Sequence, residues 1–246
     1  MILKAALTAD TPGCIAMITD MGLSGTALYQ LMTWLSPSYP VGSYTYSHGL
    51  EYAVETGWVK DANDTREWIA CLCTDGDGMV DAALLAHAYR AVDDAAAIFE
   101  LLEFANAFIP SAELALESTM QGAAFLEITE KAWPIEVLSR LRGLSKGPYP
   151  YPVVIGLGAA AQNIPLEAVL HAYLHGFAAN MASAAMRLIP LGQTDGQLIT
   201  AALAEVIPAV VSRAMTVNLE DLSTNTLMAD IGSMNHETQY TRLFRS

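Results

Sequence analysis

The chain has 246 residues, of which 53% are apolar, so it can bury a sizeable core and is not an intrinsically disordered protein. Its 12 basic and 26 acidic residues give a net charge of −14 at pH 7. This excess of acid argues against nucleic acid or an anionic membrane as a partner, because both attract clustered lysine and arginine. The three cysteines form no disulfide framework and the first twenty residues contain no secretory signal, which together predict a reducing compartment, the cytoplasm.

The spacing of apolar residues predicts helices along the chain and no alternating strand of useful length. Residues 1–27 show no clean period and are predicted to be a loose arm. The first helix is predicted over 27–35, ended by Pro37. The next is predicted to begin at Asp64 as its N-cap, with Glu67 as the capping-box partner three residues on.

Longer periodic segments follow towards the C-terminus. One helix is predicted over 93–108 and another after the cap Ser111. Residues 153–155 could form a strand, but their alanine-rich continuation favours a helix. The uncharged run 168–186 keeps a 3.6-residue period and contains histidine, asparagine and serine, so it is interpreted as a buried helix of a soluble protein rather than a membrane span.

The C-terminal part of the chain changes character. A last periodic helix is predicted to begin at Asp195 as cap and to kink at Pro208. Beyond it the period is lost, polar residues accumulate and apolar anchors remain at intervals, a composition that often orders only against a partner. The prediction is therefore an all-α protein with a loose arm over 1–27, a single bundle of about seven to ten helices over 28–217 and a partner-ordered tail over 218–246.

One stretch, SPSYPVGSYTYSHGLE at residues 36–51, crowds hydroxyl groups around a histidine. This crowding is typical of a hydrolase, with the candidate groups being Ser36, Ser38, Ser43, Ser47 and His48. The G-x-S-x-G turn that positions the nucleophile in many hydrolases is absent. The stretch is therefore either a site of nucleophilic catalysis or a shaped surface that another protein binds.

Metal-ligand spacings are few. Cys71 and Cys73 are two residues apart, so on a helix they point to nearly opposite faces. His171 and His175 are four apart and could present two imidazoles to zinc or nickel, but the sequence supplies no third ligand nearby. We therefore predict no metal site and no cofactor, and the absence of a Gly-Lys-Ser/Thr phosphate loop indicates that the chain is not itself a P-loop nucleotide hydrolase.

Two charged residues stand at the rims of apolar stretches, Glu51 and Arg187. Each is interpreted either as a solvated or ion-paired structural charge or as a recognition charge on a partner surface. The sequence leaves both interpretations open.

Four strings, taken in order, resemble the UreF family of urease accessory proteins: SPSYPVGSYTYSHGLEYAVETGWV, YPVVIGLGAAAQNIP, ANMASAAMRLIPLGQTDGQ and HETQYTRLFRS. The resemblance runs from Leu28 to the end of the chain and is looser over 75–145. It implies an all-α, non-catalytic and usually dimeric protein that binds UreD (called UreH in some systems) and the GTPase UreG. It also implies that the assembled complex supports nickel insertion into apo-urease, with nickel as cargo rather than as a cofactor of this chain.

The resemblance further implies two sets of site residues. The first matches the family's GTPase-facing surface and comprises Tyr46, Ser47, His48, Gly49, Glu51 and Arg187. The second matches the tail segment that docks on the UreD/UreH-type partner and comprises His236, Glu237, Tyr240, Arg242, Leu243 and Phe244. Three positions depart from the family's usual residues, namely Ser43, Gly232 and Asn235, the last standing where arginine is common.

Overall fold

The structure, a computed structural model, describes residues 22–245 of the chain. All regular elements in that range are helices, so the all-α prediction is confirmed there. In chain order they are α1 (Gly25–Trp34), α2 (Leu50–Glu55), α3 (Ala62–Asp75), α4 (Asp77–Arg90), α5 (Ala95–Phe108), α6 (Ala112–Ala132), α7 (Glu136–Leu144), α8 (Tyr151–Ala161), α9 (Leu166–Leu188), α10 (Gln193–Leu203), α11 (Ile207–Ala214) and α12 (Leu227–His236), with 3₁₀ turns at Ser43–Thr45 and Leu219–Asp221. Most of the predicted arm, with Cys14, lies outside the described residues.

The described residues form more helices than predicted, because periodic segments are split. The segment predicted as one helix kinked at Pro208 is two helices, α10 and α11, which are bent by 46°. The break follows Leu203, and Pro208 lies in the first turn of α11, where its missing N–H removes no helical hydrogen bond. Asp195 is not the N-cap of α10 but its third residue, and its carboxylate accepts a 2.8 Å hydrogen bond from the N–H of Gly192.

The cap predicted at Asp64 is also wrong by one turn. The helix α3 is capped by Asp61, whose carboxylate accepts from the N–H groups of Asn63 and Asp64 at 2.9 and 3.0 Å. An aspartate already inside the first turn cannot cap it, since its own N–H is one of the donors that need an acceptor. The cap at Ser111 is confirmed by a 3.2 Å bond from the N–H of Leu114.

The centre of the fold is α8, which packs between α4 and α6 and is buried on nearly every side. Residues 153–155 are helical, as their alanine-rich continuation favoured. The close approach depends on small residues: a Cβ on Gly156 would overlap the carbonyl oxygen of Leu85, and one on Gly122 would overlap that of Tyr149.

A second hydrophobic core is built from α2, α3, α9, α10 and the tail. Its tail contribution is α12, which packs on α2, and Phe244, which is only 4% exposed. The segment over 218–245 thus contains a helix that its polar composition hides, and it packs on the rest of the chain. That a partner orders this tail stays a prediction.

No single helix among residues 22–245 is both long and apolar enough to cross a membrane. By length and composition, α10 and α11 would meet that criterion only as a bent pair.

Candidate functional site: two buried ionic clusters behind the tail

The first cluster, which we call the tail clamp, consists of Glu51, Glu113, His236 and Arg242. His236 is fully buried at the end of α12. Its Nε2 lies 2.9 Å from Oε2 of Glu51 and its Nδ1 lies 2.7 Å from Oε2 of Glu113. An imidazole can donate to two acceptors at once only when both nitrogens carry a proton. The geometry therefore fits an imidazolium held between two carboxylates.

Glu51 and Glu113 also hold the end of the chain. The Glu51 carboxylate accepts hydrogen bonds from the main-chain N–H groups of Leu243 at 2.6 Å and Phe244 at 2.9 Å. Nη1 of Arg242 lies 3.1 Å from Oε1 of Glu113. Two carboxylates thus meet two cationic side chains and two backbone donors, so the buried acids do not lack partners.

Close contact between α2 and α12 brings the clamp together. Gly49, just before α2, has φ +74°, and a Cβ there would lie 2.8 Å from the N atom of Ser233 and 2.9 Å from the carbonyl oxygen of Ala229. The facing residue on α12 is Gly232, where a Cβ would lie 3.2 Å from the Gly49 oxygen. The two backbones therefore touch, and Gly49 is required both for its conformation and for the space it leaves.

The aromatic end of the tail seals the clamp. The guanidinium of Arg187 lies over the Phe244 ring, 4.2 Å from its centroid, and Nη2 donates a 2.7 Å hydrogen bond to the carbonyl of Tyr44. The N–H of Arg245 donates to the carbonyl of Thr45 at 2.8 Å. The last residues of the tail are thereby joined to the loop that precedes α2.

The second cluster, which we call the cavity cluster, is formed by His48, Asp77, Asp81, Glu117 and Tyr173. Nδ1 of His48 lies 3.2 Å from Oδ2 of Asp77, and its Nε2 lies 3.0 Å from Oε1 of Glu117. Burial alone would lower the pKa of His48, but the two carboxylates outweigh it and hold the pKa well above its usual value. His48 is therefore the charged centre of this cluster.

Asp81 completes the cavity cluster as a buried carboxyl group. The hydroxyl of Tyr173 donates a 2.7 Å hydrogen bond to Oδ2 of Asp81. Burial nevertheless raises the pKa of Asp81 to about 7. These groups line a cavity of about 240 Å³ whose other walls include Trp34, Tyr44 and Phe177.

The two clusters share the same two elements. His48 and Glu51 are three residues apart at the start of α2, and Glu113 and Glu117 are one turn apart on α6. One member of each pair contacts the tail and the other faces the cavity. The stretch 47–51 is thus a connecting element between the cavity and the tail.

Comparison with known proteins decides the family. A family model described as UreF matches residues 59–204. A urease accessory protein UreF from Rhodopseudomonas palustris (strain HaA2) is 50% identical over 224 residues, which is 90% of this chain and 94% of that protein. Another, from Bradyrhizobium diazoefficiens, is 46% identical over 222 residues, covering 89% of this chain and 92% of that protein. The chain belongs to the UreF family.

The structure brings together residues that the family resemblance assigned to two different surfaces. Glu51, from the set matched to the GTPase-facing surface, contacts His236 and Phe244 from the set matched to the UreD/UreH-docking tail. Arg187 likewise lies on Phe244. Both sets therefore meet at one place in this UreF chain.

Within each set, some residues are buried and some are exposed. Of the first set, Tyr46, Ser47, His48 and Glu51 are buried. Glu51 is thus an ion-paired charge and not a solvated one. Of the tail set, His236 and Phe244 are buried, whereas the outward side chains are Glu237, Tyr240, Arg242 and Leu243.

The hydrolase alternative requires a serine paired with a histidine, whereas His48 is paired with two carboxylates. Both ring nitrogens of His48 face carboxylate oxygens, so neither is placed to take a proton from a serine. Ser47 is fully buried, and its hydroxyl lies 3.4 Å from the N–H of Glu51. The hydroxyls of Ser36 and Ser38 contact each other at 2.8 Å.

Among residues 22–245, no three or more histidine, cysteine, aspartate or glutamate side chains are arranged to hold a metal ion. Cys71 is exposed and Cys73 is buried, as their opposite directions on a helix predict. His175, on α9, is exposed.

Sequence reasoning missed the acidic partners of both clusters, Asp77, Asp81, Glu113 and Glu117. A signal was present on α6, where Glu113, Glu117 and Gln121 follow one another at four-residue spacing and all are buried. Three polar residues on one helical face look like a solvated stripe unless their partners are known. Those partners are supplied by distant elements, so the sequence does not reveal them.

Proposed function

We propose that this UreF-family chain is a non-catalytic scaffold in urease maturation, which holds a UreD/UreH-type partner and the GTPase UreG in one complex that supports nickel insertion into apo-urease. The relatives are named urease accessory proteins, which supports the pathway. The observation that supports the scaffold role is the two-sided structure of the tail. Its inner side is anchored by buried ion pairs, and its outer side exposes apolar side chains.

The outer side of the tail exposes large apolar side chains at short intervals. They are Leu227, Met228, Met234, Tyr240 and Leu243, of which Leu227 is 70% exposed. A dense series of exposed apolar residues is typical of a protein-docking surface. Because the tail clamp holds the inner side, binding does not require the whole segment to be ordered first, which lowers the entropic cost of association.

In this proposal the tail residues divide into two roles. Tyr240, Leu243 and Glu237 contact the UreD/UreH-type partner. His236 and Phe244 hold these residues in position from the buried side of the tail, by their contacts with Glu51 and Arg187.

The GTPase contact is proposed for the corner beside the tail. Tyr44 and Arg187 reach the surface there, next to Phe244. Glu51 acts on this contact indirectly, because it fixes the tail that supports Arg187. Recruitment of the GTPase therefore depends on whether the tail is in place.

The test is capture of purified UreD- and UreG-type partners by the full chain and by a Leu227→Glu/Tyr240→Glu variant. Both positions point outward, so the fold is retained, and we expect at least about tenfold weaker capture of the UreD-type partner. Leu198→Glu, an exposed leucine on α10, is the matched control. Equal capture by the double variant and the control would exclude the tail surface.

Outward substitutions are a sharper test than truncation. Removing residues 225–246 would abolish docking if the tail carries it, but it would also remove Phe244 from the second core. Reconstituted urease activation, with and without the chain, completes the test. Full activation in its absence would exclude the scaffold role.

A further inference from the structure

Three polar atoms in the wall of the cavity have no hydrogen-bond partner among residues 22–245. They are Oε1 of Gln121, Oδ1 of Asp81 and the hydroxyl oxygen of Tyr151, whereas the second polar atom of the Gln121 and Asp81 side chains is bonded. Leaving a buried polar atom without a partner costs free energy, so folded proteins retain few of them. Three such atoms around one cavity indicate that they bind a molecule from outside the protein.

The three atoms face the open space of the cavity. Gln121 is only 5% exposed, and burial raises the pKa of both Asp81 and Tyr151. None of the three atoms is enclosed by its neighbours, in contrast to the unpartnered Nε1 of Trp34. Because all three side chains line the cavity, the space that these atoms contact is the cavity itself.

The charge of the cavity wall favours a cation. The carboxylates of Asp77 and Glu117 both face the single imidazolium of His48, so negative groups outnumber positive ones in the cluster. Among the described residues that line the cavity there is no lysine or arginine. The wall is therefore negative when Asp81 is protonated, and more negative once Asp81 ionises.

The aromatic walls and the mouth of the cavity fit a cation on a short organic stem. Trp34, Tyr44 and Phe177 line the cavity, and aromatic rings attract cations and cover apolar chains. Tyr44 is 60% exposed, so the cavity reaches the surface beside it. The volume of about 240 Å³ is below the roughly 300–1,000 Å³ of sites for drug-sized ligands, which favours a smaller molecule.

A metal ion and an ammonium group match this wall less well than a planar guanidinium does. Within the described part of the chain, no three metal-ligating side chains are placed to hold one ion. An ammonium group directs three N–H donors from one point, whereas a guanidinium spreads five donors in a plane and stacks on aromatic rings. The unpartnered atoms lie on three different helices, α4, α6 and α8, so spread donors suit them.

We propose that the cavity is a binding site for an alkylguanidinium group, which donates hydrogen bonds to Asp81, Gln121 and Tyr151 and lies against the aromatic walls. Water can solvate the same atoms, and a ligand that displaces it must offer donors at the same places. The guanidinium belongs either to a free small molecule or to an arginine side chain of another protein. This site goes beyond the proposed scaffold role.

The experiment is isothermal titration calorimetry of the full-length chain with n-butylguanidinium chloride at about pH 8, where Asp81 is mostly ionised. We expect saturable binding with a Kd of about 1 mM or tighter. The probes n-butylammonium and n-butanol keep the stem and change the head group, so they are expected to bind at least about tenfold more weakly. Absence of saturable binding in that range, or equal binding of the three probes, would overturn the proposal.

Tyr151→Phe separates binding from stability. The hydroxyl that it removes makes no hydrogen bond within the described residues, so we expect an unchanged urea midpoint and an affinity for n-butylguanidinium at least about tenfold lower. Tyr89→Phe is the matched control, because Tyr89 is also half-buried and its hydroxyl also has no described partner, but it lies outside the cavity.

Asp81→Asn removes the unpartnered carboxyl oxygen from the other side of the cavity. The asparagine keeps an oxygen that can accept from Tyr173, so the fold is retained, and we expect at least about tenfold weaker binding of n-butylguanidinium. Unchanged affinity in either Tyr151→Phe or Asp81→Asn would overturn the assignment of the site. Circular dichroism verifies that each variant keeps its helices.

A second probe distinguishes the two sources of the guanidinium. The tripeptide acetyl-Gly-Arg-Gly-amide carries the same head group, but its main chain must remain at the mouth beside Tyr44. Binding of both probes supports a site for an arginine side chain of another protein, and binding of n-butylguanidinium alone supports a site for a free small molecule. Binding of neither overturns the proposal. None of these measurements involves partner capture by the tail, so the proposed function is tested separately.

Discussion

The carboxylate of Glu51 lies 2.9 Å from Nε2 of His236, a residue 185 positions further along the chain. This pair joins the loop-and-helix stretch 47–51 to the C-terminal tail. Because the same carboxylate also accepts the N–H groups of Leu243 and Phe244, one buried side chain fixes the direction of the last residues. The position of the outward tail surface therefore depends on a residue that does not itself reach solvent.

Replacing Glu51 by glutamine is expected to destabilise the fold by about 3 kcal/mol. Glutamine has nearly the same shape as glutamate but carries no charge. The cationic side chains of the clamp therefore lose one buried negative partner, and removing a single partner from a buried ion pair is strongly destabilising. Urea unfolding measures the loss. Glu100→Gln, an exposed glutamate on α5, is the matched control, and an equal effect at both positions would mean that the clamp contributes no stability.

Replacing Gly49 by alanine is expected to displace α12. Gly42 has nearly the same backbone conformation, φ +78° against +74°, but nothing lies within 4 Å of a Cβ built there. Gly42→Ala therefore measures the conformational cost alone, about 1 kcal/mol, and Gly49→Ala adds a clash with the α12 backbone of about 2 kcal/mol. Urea unfolding and the rate of tryptic cleavage after Arg242 report the two effects, and indistinguishable variants would contradict the close contact.

The contribution of Asp81 to the stability of the chain is expected to fall as the pH rises from about 4 to about 7. Burial raises the pKa of Asp81 from 3.8 to about 7, so the folded state holds a proton that the unfolded state has released over this interval. Ionising the buried group then costs about 4 kcal/mol above pH 7. Asp81→Asn should flatten this part of the profile, as measured by urea unfolding at a series of pH values.

His48 contributes to the same stability profile over a different pH range from Asp81. Its pKa is raised by Glu117 and Asp77, so its contribution is complete below about pH 6.5 and is lost at the higher pH where the folded state releases its proton. In Asp81→Asn the fall above pH 7 should therefore persist. A profile with an unchanged slope below pH 7 would show that Asp81 is not the titrating group.

Replacing Arg187 by lysine is expected to loosen the end of the tail. A lysine keeps the charge, but it cannot lie flat on the Phe244 ring and bind the Tyr44 carbonyl at the same time. We expect the amide of Phe244 to exchange its hydrogen about tenfold faster, which corresponds to a loss of about 1.4 kcal/mol. Arg140→Lys, at an exposed ion pair on α7, is the control, and equal exchange rates in both variants would remove Arg187 from the clamp.

The sequence predicts helices best where the buried face is continuous. The 3.6-residue period of 168–186 predicts α9, and Ser111 predicts the start of α6, because both signals are local. The caps at Asp61 and Gly192 were missed by one turn. An aspartate inside the first turn and an aspartate before it carry the same composition signal, and only the backbone conformation separates them.

The buried clusters could not be predicted from the sequence, for a different reason. Glu51 was recognised as important, but its burial depends on Glu113 and His236, which come from α6 and α12. Local patterns contain no information about which distant elements meet. The sequence pattern also does not predict α12. The buried face of this helix consists of small or polar residues, which do not form a hydrophobic stripe. These residues are Ala229, Gly232, Ser233 and His236.

Leu243 and Phe244 reach Glu51 with main-chain N–H groups and not with side chains. Every residue except proline offers that donor, so this contact is insensitive to which residues stand there and sensitive to how far they stand from His236. An insertion or deletion between 237 and 242 would carry both donors out of reach, whereas most substitutions at 243 would leave them in place. The number of residues between His236 and Leu243 therefore sets whether the two N–H groups reach the Glu51 carboxylate, so the outward side chain at 243 can vary while the length of this stretch cannot.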